Sequence, residues 1–232
     1  MTGADRRLGA DRATVDVWRI ATSTQTGVSA DALSSDELRR LGRRIGDVDR
    51  QRALAAWTAQ REILANYLGC SPHDVPLDRD ASGRPHLRAD SPALDHSMAH
   101  SGDWAMLAVS RSARVGIDLE RVDPTVDVER LALRFFARDE AEMIASLPHD
   151  KRVATFFRAW TEKEAYLKGV GGGVPSRLRS VRAAFDPRIG ARAVAGWRLY
   201  GLDAPPGYAA CLAVQAPDVC IRAIDFPRRE ER

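Results

Sequence analysis

The chain has 232 residues, 44% of them hydrophobic and 29% charged, with 35 basic against 32 acidic side chains and a net charge of +3. Such a chain can bury a proper core, as one large domain or two small ones, and its composition is that of a soluble globular protein. The mild basic excess is compatible with an anionic ligand and far below the charge density of a dedicated nucleic-acid binder. Cys70, Cys211 and Cys220 are odd in number and lack metal-ligand spacing. A disulfide framework is therefore not expected, and a reducing, cytosolic setting is. Residues 1–13 are polar and charged, and no apolar run reaches membrane-spanning length, so neither a signal peptide nor a membrane segment is expected.

Residues 14–20 read as a first strand. Ser34-Ser35-Asp36-Glu37 reads as a helix start, followed by Leu38 and Leu41. The basic cluster from Arg39-Arg40 to Arg43-Arg44 is either a solvated helix face or a reach toward an anion. Residues 47–68 form the longest helix of the first half, with an apolar stripe of Leu54, Trp57, Leu64 and Leu68 and with Gly69 as its stop. Arg52 and Arg61 lie beside that stripe, where an arginine either snorkels or binds an anion. Residues 72–87 are turn-rich and contain Ser82-Gly83-Arg84-Pro85.

Next comes His96-Ser97-Met98-Ala99-His100-Ser101-Gly102-Asp103-Trp104. Two histidines four apart would pair for zinc on a helix, but a strand-and-turn context separates them and no third soft ligand is near. Residues 105–110 and 114–120 read as strands joined by a turn at 111–113. The boundary between halves is placed there, giving 1–112 and 113–232. In the second of these strands Val115, Ile117 and Leu119 point one way, and Gly116, Asp118 and Glu120 the other. Two carboxylates two apart on one strand face repel unless solvated or bridged by a cation, and hard oxygen donors in this pattern suit Mg²⁺.

Residues 127–136 read as a helix with Leu131 and Phe135 inward. The stretch from Phe156 to Lys168 reads as another, with Phe157, Trp160, Glu164 and Lys168 on one face. Only three of the basic side chains are lysines, Lys151, Lys163 and Lys168, and two of them lie in this helix. Glu164 and Lys168 are either an i, i+4 surface pair, worth roughly 0.3–0.5 kcal/mol, or a compact charge kept for chemistry. Gly169-Val170-Gly171-Gly172-Gly173 ends the helix. Strands are expected at 180–185, 197–202, 208–214 and 219–226.

Gly116-Ile117-Asp118-Leu119-Glu120 followed by Trp160-Thr161-Glu162-Lys163-Glu164-Ala165-Tyr166-Leu167-Lys168 resembles the paired motifs of the Sfp-type 4′-phosphopantetheinyl transferases. Gly83-Arg84-Pro85, the segment around His100-Ser101 and Arg134-Phe135-Phe136 are similar to further family segments. In the histidine segment, Ser97 stands for the family's Asn and Ala99 for its first Ser, a change expected to remove a phosphate or ribose contact.

The resemblance implies an α+β fold of two similar α/β halves related by a pseudo-two-fold, with the ligand between them, and usually a monomer. It implies coenzyme A as substrate and an apo acyl, peptidyl or aryl carrier protein as partner. The metal, Mg²⁺ or Mn²⁺, would be held by Asp118, Glu120 and Glu164. Glu164 would also serve as base, and Lys168 would meet charge developing on the bridging or leaving oxygen. Arg52, Gly83, Arg84, Pro85, His100 and Ser101 would hold the nucleotide end, with Arg40 and Lys163 as additional contacts. Two rivals remain at this point: a Mg²⁺-dependent phosphohydrolase using the same carboxylates, and a non-enzymatic, arginine-rich module binding a polyanion.

Overall fold

The computed structural model describes residues 12–23, 28–80, 83–171, 175–183 and 191–227. Within them the chain builds one motif twice: a strand, a long helix, then a hairpin whose second strand returns beside the first. The first copy runs β1 (Ala13–Ala21), α1 (Ser35–Gly42), α2 (Asp47–Leu68), a small hairpin β2 (Leu77–Arg79) and β3 (Pro85–Leu87), then β4 (Asp95–Ser101) and β5 (Trp104–Ser110). The second runs β6 (Val115–Arg121), α3 (Val128–Phe135), α4 (Arg138–Ser146), α5 (His149–Val170), a 3-10 turn (Pro175–Ser180), β7 (Ala191–Val194), β8 (Trp197–Gly201) and β9 (Tyr208–Val214). In the first copy β5 lies antiparallel between β1 and β4. In the second β9 lies antiparallel between β6 and β8. The long helices α2 and α5 are 22 residues each. This is the two-halved α+β fold expected from the motifs.

One expectation is corrected, the strand at 180–185, and one pairing was not foreseen. The last strand, β10 (Val219–Asp225), pairs parallel with β1, Ala13 facing Val219, and so completes the first sheet. It does so although it follows the second copy in the chain. Residues 180–183 end the 3-10 turn and continue without strand pairing; residues 184–190 lie outside the described residues. The helix α4 and the strand β7 carried no sequence expectation.

Local chemistry sets the helix ends. Ser34 and Glu37 form a reciprocal capping box at α1, with Ser34 N–H donating to Glu37 Oε2 at 2.9 Å. Gly69 and Gly171 close α2 and α5 in the left-handed conformation. Gly172 and Gly173 lie outside the described residues. Arg61 is 2% exposed; it donates to Glu37 Oε2 at 2.8 Å and to the carbonyls of Pro72, His73 and Val75. Its charge holds the start of the β2–β3 region against two helices and is not open to a ligand.

The elements stack as helix, sheet, sheet, helix. Ile20, Leu107 and Val109 pack under α2 with Trp57, Ile63 and Leu64. Val15, Val17, Met106 and Ala108 meet Ile117, Leu119, Leu212 and Val214 between the two sheets. Ala165 of α5 covers the far side of the second sheet with Trp197, Leu199 and Ala213. The two sheets also join edge to edge. Asp95, Ser97 and Ser101 of β4 accept from the backbone N–H of Val115, Ile117 and Arg121 at 2.7, 3.2 and 3.0 Å. Side chains thus replace one strand's carbonyls in a ladder of constant offset.

One close approach fixes α5 on β6. A Cβ at Gly116 would lie 2.1 Å from the Ala165 carbonyl oxygen and 2.4 Å from the Gly169 nitrogen. A Cβ at Gly169 would lie 2.5 Å from the Trp197 ring. Neither backbone can yield, so glycine is required at Gly116. Gly116→Ala is expected to lower stability by about 3 kcal/mol or more, the upper range for overpacking, read as a fall in the urea midpoint at unchanged slope.

Candidate active site

Because α5 touches β6 at Gly116, the next turns of helix and strand face each other. Lys168 donates from Nζ to Asp118 Oδ1 at 2.6 Å. Asp118 is 3% exposed, and its Oδ2 is buried without a hydrogen-bond partner. Ser101 Oγ donates to Glu120 Oε2 at 3.1 Å while accepting from the Arg121 backbone. Burial, then the charge of Asp118, raises the Glu120 pKa to about 7; the Ser101 hydrogen bond and Lys168 oppose this, and Glu164 adds to it. Glu164 is raised by burial and by Asp118, with Lys168 opposing. Three carboxyls therefore repel one another in a partly dry setting with a single lysine among them.

An all-oxygen set with one orphaned buried oxygen fits a hard divalent cation, which would satisfy Asp118 Oδ2 and relieve the repulsion. As the side chains stand, Lys168 occupies Asp118. Among the described residues no group of three or more His, Cys, Asp or Glu surrounds a common point. Ion binding would accordingly require the carboxylates to draw together around the open Asp118 Oδ2.

Beside this cluster lies a cleft of 550 Å³ lined by Arg40, Arg43, Arg44, Arg79, Trp57 and His100. The Arg44 guanidinium lies over the Trp57 ring at 5.3 Å and donates to His100 Nε2 at 3.2 Å. Arg40 is paired with Asp36 at 2.9 Å. Burial and the charge of Arg40 lower the Arg79 pKa. Burial, then Arg44 and Lys168, push His100 down to about 4, although the residue as a whole is exposed. Four guanidinium groups around one cleft make a site for a multiply charged anion. A larger cavity of 620 Å³, walled by Arg19, Trp104, Asp203 and Phe226, contains none of these residues, and Arg19 there is paired with Asp225 at 2.8 Å.

The sequence-predicted residues distribute unevenly. Arg40 and His100 line the arginine cleft. Gly83, Arg84, Pro85 and Lys168 line an adjoining cavity of 210 Å³, which shares Gln60, Pro85 and Met98 with the cleft. Arg84 is largely committed to protein: it donates to the carbonyls of Gly169 and Val115, both at 3.2 Å, and lies 3.5 Å from Asp95.

The structure places four further residues outside the cleft lining, and only the fully buried Lys163 is thereby removed from ligand contact. Lys163, expected on coenzyme A, is fully buried and donates to Glu140 Oε2 at 2.7 Å, to Leu178 O at 3.1 Å and to Val181 O, 4.5 Å above the Phe136 ring. It adjoins Glu164 in sequence and so points about 100° away around the helix. Arg52 pairs with Asp103 and Asp49 and is absent from the cleft lining. Ser101 is spent on Glu120 and on the β6 backbone. Ala99 faces the core between the sheets, so the missing hydroxyl is lost opposite β6 and not at a phosphate. Arg43, Arg44, Arg79, Gln60 and His96 were not singled out as ligand residues. The basic cluster did hold the first two, and Gln60 interrupts the Trp57–Leu64 stripe at helical spacing.

Two family models cover most of the chain. The description "4′-phosphopantetheinyl transferase superfamily" matches residues 114–211, and "4′-phosphopantetheinyl transferase, N-terminal" matches residues 17–112. The chain is 38% identical to the 4′-phosphopantetheinyl transferase HetI of Nostoc sp. over 86% of its own length and 87% of that protein. It is 32% identical to a 4′-phosphopantetheinyl transferase of Bacillus pumilus over 68% of this chain and 64% of that one. It is 28% identical to that of Bacillus subtilis over 82% and 85%. The chain belongs to the 4′-phosphopantetheinyl transferase superfamily, a family of enzymes.

The raised Glu120 pKa has a definite sign. The folded protein binds this proton more tightly than the unfolded chain, so stability falls as pH rises from the ordinary carboxyl value of 4.5 toward about 7. Urea unfolding of metal-free protein is expected to show this decline. Glu120→Gln is expected to flatten it, and Mg²⁺ to reverse it at the upper end.

Proposed function

We propose that this protein moves the 4′-phosphopantetheine group of coenzyme A onto a serine of an apo acyl, peptidyl or aryl carrier protein, releasing 3′,5′-ADP in a Mg²⁺-dependent reaction. The observation that carries this reading is the adjacency of the Asp118–Glu120–Glu164–Lys168 cluster to a cleft lined by four arginines. Phosphoryl transfer asks a protein mainly for positioning and charge neutralisation. The arginine cleft would take the phosphate-bearing nucleotide end of coenzyme A. Asp118, Glu120 and Glu164 would hold Mg²⁺, or Mn²⁺ in its place. A bound divalent ion supplies charge neutralisation on the pyrophosphate oxygens.

The chain's own groups account for the rest. Glu164, whose pKa is raised by burial, is suited to take the proton of the carrier serine hydroxyl as that oxygen attacks phosphorus, directly or through water. Lys168 would leave Asp118 for the oxygen that gains charge as 3′,5′-ADP departs. Its reach is set by α5, which already carries Nζ to within 2.6 Å of Asp118. Ser101 keeps Glu120 oriented from the first half. The three cysteines are free thiols, which supports a reducing cytosolic compartment. Among the described residues no helix is long and apolar enough to cross a membrane. By resemblance to the family, the working form is read as a monomer.

The test is to incubate the protein with coenzyme A, Mg²⁺ and a panel of apo carrier domains, and to weigh the carriers. At least one carrier is expected to gain the phosphopantetheine mass. Free phosphopantetheine formed without any carrier would mark a phosphohydrolase instead. Asp118→Ala is expected to abolish transfer while leaving the protein folded, because loss of the Lys168 ion pair is offset by removal of an unpartnered buried oxygen and of a like charge beside Glu120 and Glu164. Near-full Mg²⁺-dependent activity in this variant would refute the metal assignment. For Lys168→Ala, turnover is expected to fall on the order of 10²–10³.

A further inference from the structure

Gly169, in the last turn of α5, is constrained from three directions. Its nitrogen lies against Gly116 of β6, its Cα against the Trp197 ring, and its carbonyl accepts from two guanidinium groups. Arg84 donates to that oxygen at 3.2 Å and Arg114 at 3.0 Å. A helix leaves its last four carbonyls without partners of its own. In α5 those of Leu167 and Lys168 accept from the Gly171 N–H, and that of Gly169 falls to the two arginines. A cation also suits this end, where the helix dipole is negative.

The two arginines arrive from different places. Arg84 immediately precedes β3; its side chain is 17% exposed, and it also donates to Val115 O at 3.2 Å and lies 3.5 Å from Asp95. Arg114 directly precedes β6, is exposed, and holds its guanidinium 6.0 Å from the Trp197 ring centroid. Neither lines the cleft of four arginines. The helix end they hold is otherwise weak. The contact with Trp197 leaves no room for a side chain at Gly169, Gly171 adopts the left-handed cap, and glycine gives up the most conformational freedom on folding. Yet this turn carries Lys168, whose Nζ meets Asp118 Oδ1 at 2.6 Å. A misplacement of about 1 Å can cost roughly 10²-fold in rate.

We propose that Arg84 and Arg114 are positioning residues for transfer: by holding the Gly169 carbonyl they fix the last turn of α5, and with it the point from which Lys168 reaches the reacting oxygens. The inference rests on the transferase reading above and adds to it the groups that aim its lysine. Arg84 also borders the 210 Å³ cavity, so the kinetic constant it controls separates aiming from ligand contact.

The test is steady-state transfer to an apo carrier, with calorimetric binding of coenzyme A measured alongside in the absence of carrier. In Arg114→Met turnover is expected to fall about 10-fold, with KM and Kd for coenzyme A unchanged. Arg114→Lys, which keeps a donor for the carbonyl, is expected to recover most of that loss. Arg84→Met is expected to lose about 10²-fold, again in turnover. Added to Lys168→Ala, Arg114→Met is expected to cost nothing further, because both act through one group. A weaker Kd at unchanged turnover would make the arginines ligand contacts and overturn the proposal. So would unchanged turnover in Arg114→Met, or a loss that adds in full to that of Lys168→Ala. Arg114 is an exposed residue, so its variants stay folded and carry the test even where Arg84→Met does not fold. Failure of wild type to modify any carrier would overturn the transferase reading itself.

Discussion

A helix backbone rests directly on a strand backbone at Gly116, and the site depends on that contact. The missing side chain lets Ala165 and Gly169 of α5 come to within van der Waals distance of β6. Two residues along the strand stands Asp118, and three residues along the helix from Ala165 stands Lys168, so the contact converts a short distance between main chains into a 2.6 Å ion pair. Elsewhere in the second half, α5 is held off the sheet by ordinary side chains such as Trp197 and Leu199. The glycine that opens the sequence motif is thus the mechanical pivot of the acidic cluster, even though it contributes no group to it.

The second organising feature is the seam between the sheets. Asp95, Ser97 and Ser101 lend side-chain oxygens to β6 at an offset of 20 residues, and Ala99 occupies the rung where another hydroxyl would meet Leu119. The same seam carries chemistry, because Ser101 reaches past the backbone to Glu120. His100, one residue earlier and on the opposite side of its strand, faces the arginines. Adjacent residues on β4 therefore serve the carboxylate cluster and the anion cleft separately, which is the alternation a strand imposes.

Period and punctuation made much of the fold legible. The span of α2 follows from its stripe and Gly69; β5, β6 and β9 follow from alternation or continuous apolar runs. The cluster was legible because Gly116, Asp118 and Glu120 share a strand face and Glu164 and Lys168 share a helix face. What was not legible depends on long-range partners. Nothing local says that Val219–Asp225 pairs with β1, since strand propensity is blind to partner and direction. Nothing local distinguishes Lys163, buried against Glu140 and two carbonyls, from Lys168 five residues on; the burial comes from the 3-10 turn folding over it. Arg52 and Arg61 read alike beside their stripe, and each turned out to be neutralised by a carboxylate brought from another element.

The parallel pairing of β10 with β1 joins residues about 200 positions apart. The amino-terminal sheet lacks its flanking strand until the end of the chain has emerged and crossed back over the molecule. During synthesis on the ribosome, β1 would wait with one edge unpaired, open to pairing with other chains. Cutting the gene at the apparent midpoint would leave that edge permanently bare, so the two repeats, alike as they are in topology, are not separable as independent modules.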